Sequence, residues 1–599
     1  MRLFSSISCR PAATSRLSRL SHLRTSSCLC FLTAVLLSLL LATPSDAALY
    51  NYSYPTAPDK KGLAIRAGME EDALELGVHH TTINFPISQV LASRSEKKRS
   101  VSSSYRYQGK TYWFRKSQIR AWDSQLNKLK ANNTIVTGIL LMQYRPDLKS
   151  LIYPNAQGKS ASCYAWNMDG GANQKTIEAT ISYLASRYSS GKHGRVVGWI
   201  VGNEIDSAST WNCAGNISFD DYMDLYARMF EAVSRVVLSI YGNARVYIPL
   251  DHYWNMRFGN DYTAKQCLDS FALRMRQDGY PWNLAYHAYN ADLMQPSITA
   301  PQYFGVTNEP TSPVITMRNL TVLTDYIQSQ FGAGHRVILS EHGYSSTWKG
   351  TENQGEQSRA IALSYYLAQN NSLVDSFVYY SQVDQGELTR VGANFGLWKE
   401  SARGLATSKK ASWTTFKYMD TDALDAAAQE AAGAFQKLTG NRVTGTRTMQ
   451  RTRIRVTKKY RLKKKLKTGW RACGILRSFK KQKNGFSVTA DRTRSAALSF
   501  GGQKIFHAVN AAQAPNLYLT VNAGKLSSSG AVILIRMFNT DRHVLEAYGT
   551  IPAKTRRLKV SLGNWEYKNS ITGIQILVRK KGGKFRKNPQ VTITDIGLG

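Results

Sequence analysis

Gly198-Trp199-Ile200-Val201-Gly202-Asn203-Glu204 is a short apolar run that ends in an amide and a carboxylate. A second stretch, Arg336-Val337-Ile338-Leu339-Ser340-Glu341-His342-Gly343, has the same organisation. Short apolar runs of this kind are typical of buried parallel strands, and polar residues at the carboxyl ends of such strands meet at one mouth of an α/β barrel. Both glutamates are therefore predicted to project into one opening.

Between residues 60 and 420, short β-branched runs alternate with longer amphipathic stretches, as expected of βα units around a parallel sheet. Eight strands are predicted, at 63–66, 81–85, 135–142, 196–201, 245–250, 283–286, 336–339 and 376–380. Helices are predicted at 174–187, 219–240, 317–331 and 357–370. This order predicts one closed (β/α)8 TIM barrel, in which Glu204 and Glu341 follow the fourth and seventh strands on roughly opposite sides of the mouth.

The chain after residue 423 has a different pattern. The Ala-rich stretch 424–440 predicts a helical linker. Strand-length segments separated by turn residues then follow, at 452–456, 517–521, 531–537, 558–562, 574–578 and 591–593. We therefore expect a barrel over 48–423 and an all-β, jelly-roll-like sandwich over 441–599.

Residues 1–47 have the composition of a secretory signal peptide. Five arginines precede an apolar run at 28–42, and Ser45-Asp46-Ala47 forms a small-residue cleavage site. The alternative is an uncleaved membrane anchor, although about 15 apolar residues fall short of a bilayer span. We expect removal of the signal, and a protein that is secreted or associated with the cell surface and is not integral to the membrane.

Four of the seven cysteines lie outside this segment, namely Cys163, Cys213, Cys267 and Cys473. No Cys-x-x-Cys pair occurs, which argues against a zinc knuckle or a thioredoxin-like motif. An oxidising compartment permits a disulfide, and Cys163 with Cys213 is the pairing we favour. Four unpaired thiols are the open alternative.

The net charge of +38 is concentrated at the C-terminal end of the chain. Residues 441–599 carry 34 Lys and Arg against five acidic residues, and residues 441–485 carry 17 basic residues and no acid. An anionic cell-wall polymer is therefore a candidate partner for 441–599, with a solvated basic surface as the alternative. The predicted secretion argues against nucleic acid as the partner.

Two carboxylates on opposite sides of a barrel mouth suit the cleavage of a glycosidic bond. One carboxyl must stay protonated to donate to the leaving oxygen, and the other must be ionised to attack the anomeric carbon. In retaining enzymes the two groups lie about 5–5.5 Å apart. The pair therefore indicates a glycosidase, and neither carboxylate requires a metal for this chemistry.

At these residues the chain resembles the clan-A glycoside hydrolases, whose fourth strand ends in Asn-Glu and whose seventh ends in the nucleophilic glutamate. The resemblance covers residues 60–420 and looks closest to an uncharacterised bacterial family of clan-A-like barrels, on the stretches 199–204, 285–289 and 339–343. It implies a retaining double displacement on an oligo- or polysaccharide, with Glu204 as general acid/base, Glu341 as nucleophile and no cofactor. Residues 591–599 are similar to the closing strand of carbohydrate-binding jelly rolls, which implies a carbohydrate- or wall-binding module.

Aromatic rings stack on the apolar faces of sugars, and planar polar groups bond to their hydroxyls. Candidates for such contacts follow the predicted strands, and two of them, His287 and Tyr289, could instead donate to Glu341. The full set of predicted substrate-binding residues is Asn203, Asn84, Trp211, His252, Trp254, His287, Tyr289, Tyr379, Gln382 and Trp398. Two stretches depart from the clan: Ile83-Asn84-Phe85 lacks an arginine that many members carry, and Tyr379-Tyr380-Ser381-Gln382 lacks their tryptophan.

Three other patterns in the sequence could suggest a catalytic, metal-binding or carbohydrate-binding residue, and each has a structural alternative. Asn308-Glu309-Pro310 has the clan's familiar tripeptide, but no apolar strand precedes it, so Glu309 is rejected as a catalytic residue. His79 and His80 have no partner at metal-ligand spacing, and a structural role is expected. Trp470 and Trp565 are candidates for either carbohydrate platforms or core residues.

Two further functions remain open. The missing arginine favours a degenerate barrel that binds glycan, or attaches to a cell wall, without catalysis. The basic region 441–599 favours a nucleic-acid or membrane binder, which the predicted signal peptide and the lack of an amphipathic basic helix oppose.

Overall fold

A computed structural model describes most of the chain. It covers residues 48–168, 170–259, 261–300, 305–458, 460–466, 469–474, 476–490, 500–524, 526, 531–552, 554–580 and 588–599. The predicted signal peptide at 1–47 lies outside the described residues, so its cleavage stays a prediction. None of the helices in the described part combines the length and apolar character of a membrane span.

Eight parallel strands close into a barrel. Each strand is hydrogen-bonded to the barrel strands before and after it in the chain, and β1 is hydrogen-bonded to β8. They are β1 (Lys61–Leu63), β2 (His80–Pro86), β3 (Ile135–Leu141), β4 (Gly198–Val201), β5 (Arg245–Leu250), β6 (Asn283–Tyr286), β7 (Val337–Leu339) and β8 (Val374–Tyr379). All eight overlap the predicted strands, which confirms the predicted barrel. The largest displacement is at β1, which ends three residues before the predicted segment does.

A helix follows each strand, as a (β/α)8 barrel requires. The helices are α1 (Glu70–Glu75), α2 (Lys116–Ala131), α3 (Gly171–Ser189), α4 (Phe219–Ile240), α5 (Ala264–Asp278), α6 (Leu320–Phe331), α7 (Gln354–Asn370) and α8 (Ala411–Tyr418). Local sequence explains several boundaries: the Ser218 side chain accepts from the backbone N–H of Asp221 to start α4, and Thr263 caps α5 in the same way. The long insertion after β2 forms a hairpin of Ser102–Tyr107 and Lys110–Arg115.

The barrel interior is filled by a small apolar cluster that includes Ile139, Ile200, Tyr247 and Ile338. Cys163 belongs to this cluster, whereas Cys213 belongs to the larger core between the barrel and its helices. The backbones of the two cysteines are hydrogen-bonded (Cys213 N to Cys163 O, 3.0 Å), but both thiols are free. The predicted disulfide is therefore wrong, because the two side chains pack on different sides of adjacent chain segments.

The predicted linker is a helix, α9 (Ala426–Thr439), capped by Asp425. Ala428, Ala431 and Phe435 are buried, and the Phe435 ring lies edge-on to Tyr366 of α7 at 6.1 Å between centroids. The helix is therefore packed onto the barrel, because its alanine face allows close approach, and it does not act as a free linker.

The C-terminal region is a two-sheet β-sandwich, which confirms the predicted all-β module. Its strands are β9 (Met449–Arg453), β10 (Arg455–Thr457), β11 (Lys464–Lys465), β12 (Trp470–Cys473), β13 (Leu476–Gln482), β14 (Gly485–Ala490), β15 (Phe500–Val509), β16 (Asn516–Asn522), β17 (Ala531–Phe538), β18 (Val544–Thr550), β19 (Arg556–Ser561), β20 (Ile571–Lys580) and β21 (Gln590–Leu598). One sheet has the order β9-β18-β17-β20-β15-β12, and the other β10-β19-β16-β21-β14-β13 with β11 beside β21. Trp470 and Trp565 are fully buried between the sheets, so they are core residues and cannot serve as carbohydrate platforms here.

Buried charges join the sandwich to the barrel. Lys417 of α8 lies 3.2 Å from Glu75 of α1 and 3.0 Å from Glu546 of β18, and Arg536 of β17 contacts both glutamates at 2.8 Å. The guanidinium of Arg542 donates to backbone carbonyls at the N-terminal ends of the barrel strands. The sandwich thus contacts the barrel away from the C-terminal mouth.

Candidate active site

Glu204 follows β4 at the C-terminal mouth of the barrel, in a tightly constrained position. Its backbone φ of +31° lies in the left-handed region, which non-glycine residues adopt only when their surroundings hold them there. The side chain is almost completely buried, and Asn203 beside it is half-buried. The short apolar strand therefore delivers a carboxyl group into a site where water has little access.

The partner of Glu204 is His287, which follows β6. His287 Nδ1 lies 2.6 Å from Glu204 Oε1. Burial raises the pKa of Glu204 to about 7, and the charges of Asp251 and Glu341 add to the effect, while His287 opposes it. Burial alone would lower the pKa of His287, but the bond to Glu204 and the nearby carboxylates outweigh it and raise the pKa to about 9. At neutral pH His287 therefore donates to a carboxyl group that is poised near its midpoint.

Two more acids lie behind Glu204. Asp251, directly after β5, contacts His252 Nδ1 at 2.5 Å, and its backbone N–H donates to Asp206 at 3.0 Å. Burial opposes the charge of Asp251, but His252 prevails and lowers its pKa. Burial and the charge of Asp251 raise the pKa of Asp206 well above its usual range. Asp251 is thus the acid beside Glu204 that ionises readily, whereas Asp206 is harder to ionise than an ordinary aspartate.

Glu341 follows β7 and has a different environment. The Tyr289 hydroxyl donates to Glu341 Oε1 at 2.7 Å, which is the contact expected for one of the two residues after β6. Burial and the charge of Glu341 raise the pKa of Tyr289 and of Tyr380, so both hydroxyls stay protonated beside the carboxylate. Glu341 is half-buried and more open than Glu204.

Glu341 borders an open cavity of about 670 Å³. The cavity lies between the segments that follow β1, β2 and β8, and its wall includes Arg66, Asn84, Gln118, Tyr380 and Gln385. Asn84 is exposed there, and Arg66 pairs with Glu400 at 2.9 Å. Planar amides, a guanidinium and a tyrosine are the groups that bind sugar hydroxyls. The segment after β1 thus supplies a cation, Arg66, to the cavity wall, although β2 lacks the arginine that many clan-A glycoside hydrolases carry.

A second cavity of about 680 Å³ adjoins the first and shares Gly386, Glu387 and Glu400 with it. Its wall is strongly polar and includes Lys399, Lys410 and Asp384. The two cavities together form a groove that leads away from Glu341 along the loops after β8.

Exposed aromatic rings lie on the other side of the mouth. Trp211, in the loop after β4, has 36% of its surface exposed. Phe258 is 60% exposed and stacks on Tyr253 at 5.3 Å between centroids. Burial raises the pKa of Tyr253 to about 12, and the charges of Asp251 and Glu204 add to the effect.

Four predicted substrate-binding residues are structural instead. Trp254 is buried and donates to the Pro310 carbonyl, Tyr379 is buried and donates to the Phe395 carbonyl, and Trp398 is buried and donates to Asp72. Gln382 borders the first cavity, but its amide is used by Arg66 N and Asp72. Trp254, Tyr379 and Trp398 therefore lie in the core and not at the mouth, whereas Gln382 combines its structural bonds with a place on the cavity wall.

His252 and His287 lie at the site without an open path to a ligand. His252 is buried against Asp251, 6.3 Å from the Tyr289 ring. His287 is buried against Glu204. Both were predicted to contact substrate; in the structure His287 contacts Glu204, and His252 contacts the neighbouring Asp251.

The remaining sequence predictions can be placed as well. Glu309 lies exposed in a turn, far from any barrel strand end in sequence, in agreement with its rejection. His79 Nδ1 contacts Asp59 at 2.8 Å and His80 contacts the Asp59 carbonyl at 3.1 Å, which are structural roles. In the described part of the chain, no group of His, Cys, Asp and Glu is arranged to hold a metal ion.

Sequence reasoning missed three residues of the site, Asp206, Asp251 and Tyr380. Asp251 and Tyr380 directly follow β5 and β8, so the signal that found Glu204 and Glu341 could also have found them. Asp206 lies five residues beyond the end of β4, where no periodicity distinguishes mouth from core.

The strand order defines a (β/α)8-barrel protein with two carboxyl groups, those of Glu204 and Glu341, at the C-terminal ends of its strands. The chain belongs to the family described as "Family of unknown function (DUF5722)", which matches residues 53–436.

Several solved structures are similar to this chain at low identity. A glucosidase from Croceicoccus marinus is 11% identical, with 89% of this chain and 98% of that chain covered and a TM-score of 0.40. The β-glycosidase from Thermosphaera aggregans is 12% identical, with 65% and 99% covered and a TM-score of 0.40. A Thermotoga maritima β-glucosidase in complex with deoxynojirimycin is 10% identical, with 58% and 84% covered and a TM-score of 0.38. No curated protein matches the sequence. The fold assignment rests on the strand order of the chain itself.

Proposed function

We propose that this protein is a retaining glycoside hydrolase in which Glu204 is the general acid/base and Glu341 the nucleophile. The observation that carries the proposal is the contrast between the two carboxyl groups. Burial raises the pKa of Glu204 to about 7, whereas Glu341 is more open and accepts a bond from Tyr289. Paired carboxyl groups in such contrasting environments can divide the acid and nucleophile roles.

The first step uses this contrast directly. A Glu341 oxygen attacks the anomeric carbon, the bond to the leaving oxygen breaks, and Glu204 transfers its proton to that oxygen. The product is a glycosyl ester of Glu341. In the second step Glu204, now ionised, takes a proton from water, whose oxygen displaces Glu341 from the anomeric carbon.

The surroundings suit both steps. His287 and Asp251 act on Glu204 with opposite charges, which keeps its pKa near neutrality so that it can both give and take a proton. The Tyr289 hydroxyl holds one oxygen of Glu341 and fixes its direction. The polar groove of two adjoining cavities suits a glycan longer than one sugar on the Glu341 side. We propose from the signal-like composition of residues 1–47 that this activity occurs outside the cell or at its surface.

Kinetics with aryl glycosides of different leaving groups test the assignment. A good leaving group departs without a proton, so Glu204→Gln should retain the first step on a dinitrophenyl glycoside and lose it on an alkyl glycoside. Glu341→Gln should lose both, and Glu309→Gln is the matched control that should lose neither. Glu341→Gln turnover at the wild-type rate would contradict the proposal, and glycan binding without any turnover would favour the non-catalytic alternative.

A further inference from the structure

The two outer faces of the sandwich differ in what covers them. The sheet that contains β15, β17 and β18 turns Gln503, Arg536 and Glu546 toward the barrel. These side chains contact Asn132, Glu75 and Lys417, so the barrel covers this face. In the other sheet, which contains β10, β16, β19 and β21, the outward residues of β10 and β19 are exposed or half-buried, and Tyr460 partly covers β16.

A row of cations crosses this open face. In β16, Leu517, Leu519 and Val521 are buried in the core, so Tyr518 and Thr520 point outward. Directly paired residues on neighbouring strands share a face. The pairing places Arg455 opposite Lys559, Lys559 opposite Tyr518, Tyr518 opposite Gly597, and Gly597 opposite Lys465.

A second row runs beside the first and holds hydroxyl groups. Thr457 is opposite Arg557, Arg557 opposite Thr520, and Thr520 opposite Thr594. Neighbouring strands are about 4.8 Å apart, so cations and hydroxyls recur at short intervals across the sheet.

The cations are partly fixed in place. Tyr460 stacks on Tyr518 at 4.8 Å with ring planes 8° apart, and the Arg557 guanidinium lies 5.5 Å from the Tyr460 ring centre. Arg557 also donates to the Lys458 carbonyl at 3.3 Å. A cation that is already oriented loses less entropy when it binds an anion.

These charges have little internal compensation. None of Arg455, Arg557, Lys559 and Lys465 forms an ion pair with an acidic residue of the described chain. Asp595, at the irregular register of β21, is the acid that the described residues place on this face. The same number of cations on an ordinary surface is usually interspersed with acids.

We propose that this face binds an acidic polysaccharide whose sugars carry carboxylate groups. The cations complement the carboxylates, and the hydroxyls of Tyr460 and Thr520, which lie 3.2 Å apart, and of Thr594 offer bonds to sugar hydroxyls between them. The outward positions of the two rows carry no aliphatic side chain to enter a bilayer, which disfavours a membrane as the occupant. Because the sandwich contacts the barrel away from Glu204, a bound polymer leaves the mouth free. The proposal does not depend on catalysis.

Binding of the full chain to polygalacturonate tests the proposal, with neutral dextran as the uncharged comparison. We expect binding to polygalacturonate that weakens between about 50 and 200 mM salt, and no binding to dextran. The triple change Arg455→Gln, Arg557→Gln and Lys559→Gln should weaken it about tenfold or more. The matched control Lys97→Gln, Lys98→Gln and Lys149→Gln removes as many exposed charges from the barrel and should bind as the wild type does.

Two further arms separate the other occupants. Vesicles of phosphatidylserine and a DNA duplex are compared with polygalacturonate at equal charge concentration, and circular dichroism verifies that each variant is folded. The proposal would be overturned if the protein bound the vesicles or the DNA more tightly than polygalacturonate. It would also be overturned if the folded triple variant bound polygalacturonate as tightly as the wild type, or if the barrel control lost as much affinity as the triple variant.

Discussion

His287 Nδ1 lies 2.6 Å from Glu204 Oε1, and this contact joins the ends of β6 and β4 across the barrel mouth. Both groups are buried, so each sets the charge of the other. The positive charge of His287 lowers the pKa of Glu204, while burial and Asp251 raise it, and the balance is a pKa of about 7. The pH dependence of the proposed reaction should therefore respond to both neighbours of Glu204, in opposite directions.

Replacement of His287 by Gln should move the alkaline limb of kcat/KM to higher pH. The first step needs protonated Glu204, so activity falls as pH rises through its pKa. Gln preserves a donor but removes the positive charge, which makes Glu204 harder to ionise and raises its pKa by about one unit. A pH profile on an alkyl glycoside measures the shift. If the alkaline limb does not move, the charge of His287 does not affect the ionisation of Glu204.

Replacement of Asp251 by Asn should move the same limb to lower pH. The negative charge of Asp251 is the second cause of the raised pKa of Glu204, after burial. Asn can still accept from His252, so the change mainly removes charge. An upward shift in the profile would show that the charge of Asp251 does not act on Glu204.

Replacement of Tyr289 by Phe should reduce kcat by about ten- to a hundredfold, because a bond to a charged acceptor is worth about 1.5–3 kcal/mol. Tyr379→Phe is the matched control, since Tyr379 is equally buried but donates to the Phe395 carbonyl and not to Glu341. Steady-state kinetics and thermal melting of both variants separate the effects. Equal losses of kcat in the two variants would assign Tyr289 a structural role.

Replacement of Asp420 by Asn should destabilise the fold by about 3–5 kcal/mol, because it leaves two buried cations without their partner. Lys61 Nζ lies 2.7 Å and Arg447 Nε 2.6 Å from this carboxylate, and all three side chains are buried. The exposed pair of Glu430 and Arg359 is the comparison, and Glu430→Gln should cost less than about 1 kcal/mol. Denaturant unfolding measures the free energy of unfolding of both variants. Similar losses in Asp420→Asn and Glu430→Gln would refute the argument.

The barrel could be predicted from sequence because its signals are local. An apolar run of four to eight residues with a polar residue directly after it marks a buried strand and its mouth at once, as at Glu204 and Glu341. The disulfide could not be predicted, because the directions of Cys163 and Cys213 depend on how two chain segments pass each other. The packing of α9 on α7 depends on long-range contacts of the same kind.

The residues of the site also divide into those that could be predicted from the sequence and those that could not. Glu204, Glu341, His287 and Tyr289 lie at or just beyond strand ends, and sequence placed all four near the mouth. The buried positions of Trp254 and Trp398 could not be derived, because residues beyond the barrel strands have no periodicity to separate mouth from core. The charges of Asp206 and Asp251 depend on burial and on their contact with each other, and neither can be read from the chain.

The central claim is that Glu341 forms a covalent bond to the sugar. Incubation of the protein with a panel of 2-fluoro-2-deoxy glycosyl fluorides, followed by proteolysis and mass mapping, tests it most directly. The expected result is one added sugar on Glu341, with loss of activity in proportion to labelling and slower labelling of Tyr289→Phe. A label on any other residue, or inactivation that leaves Glu341 unmodified, would contradict the account.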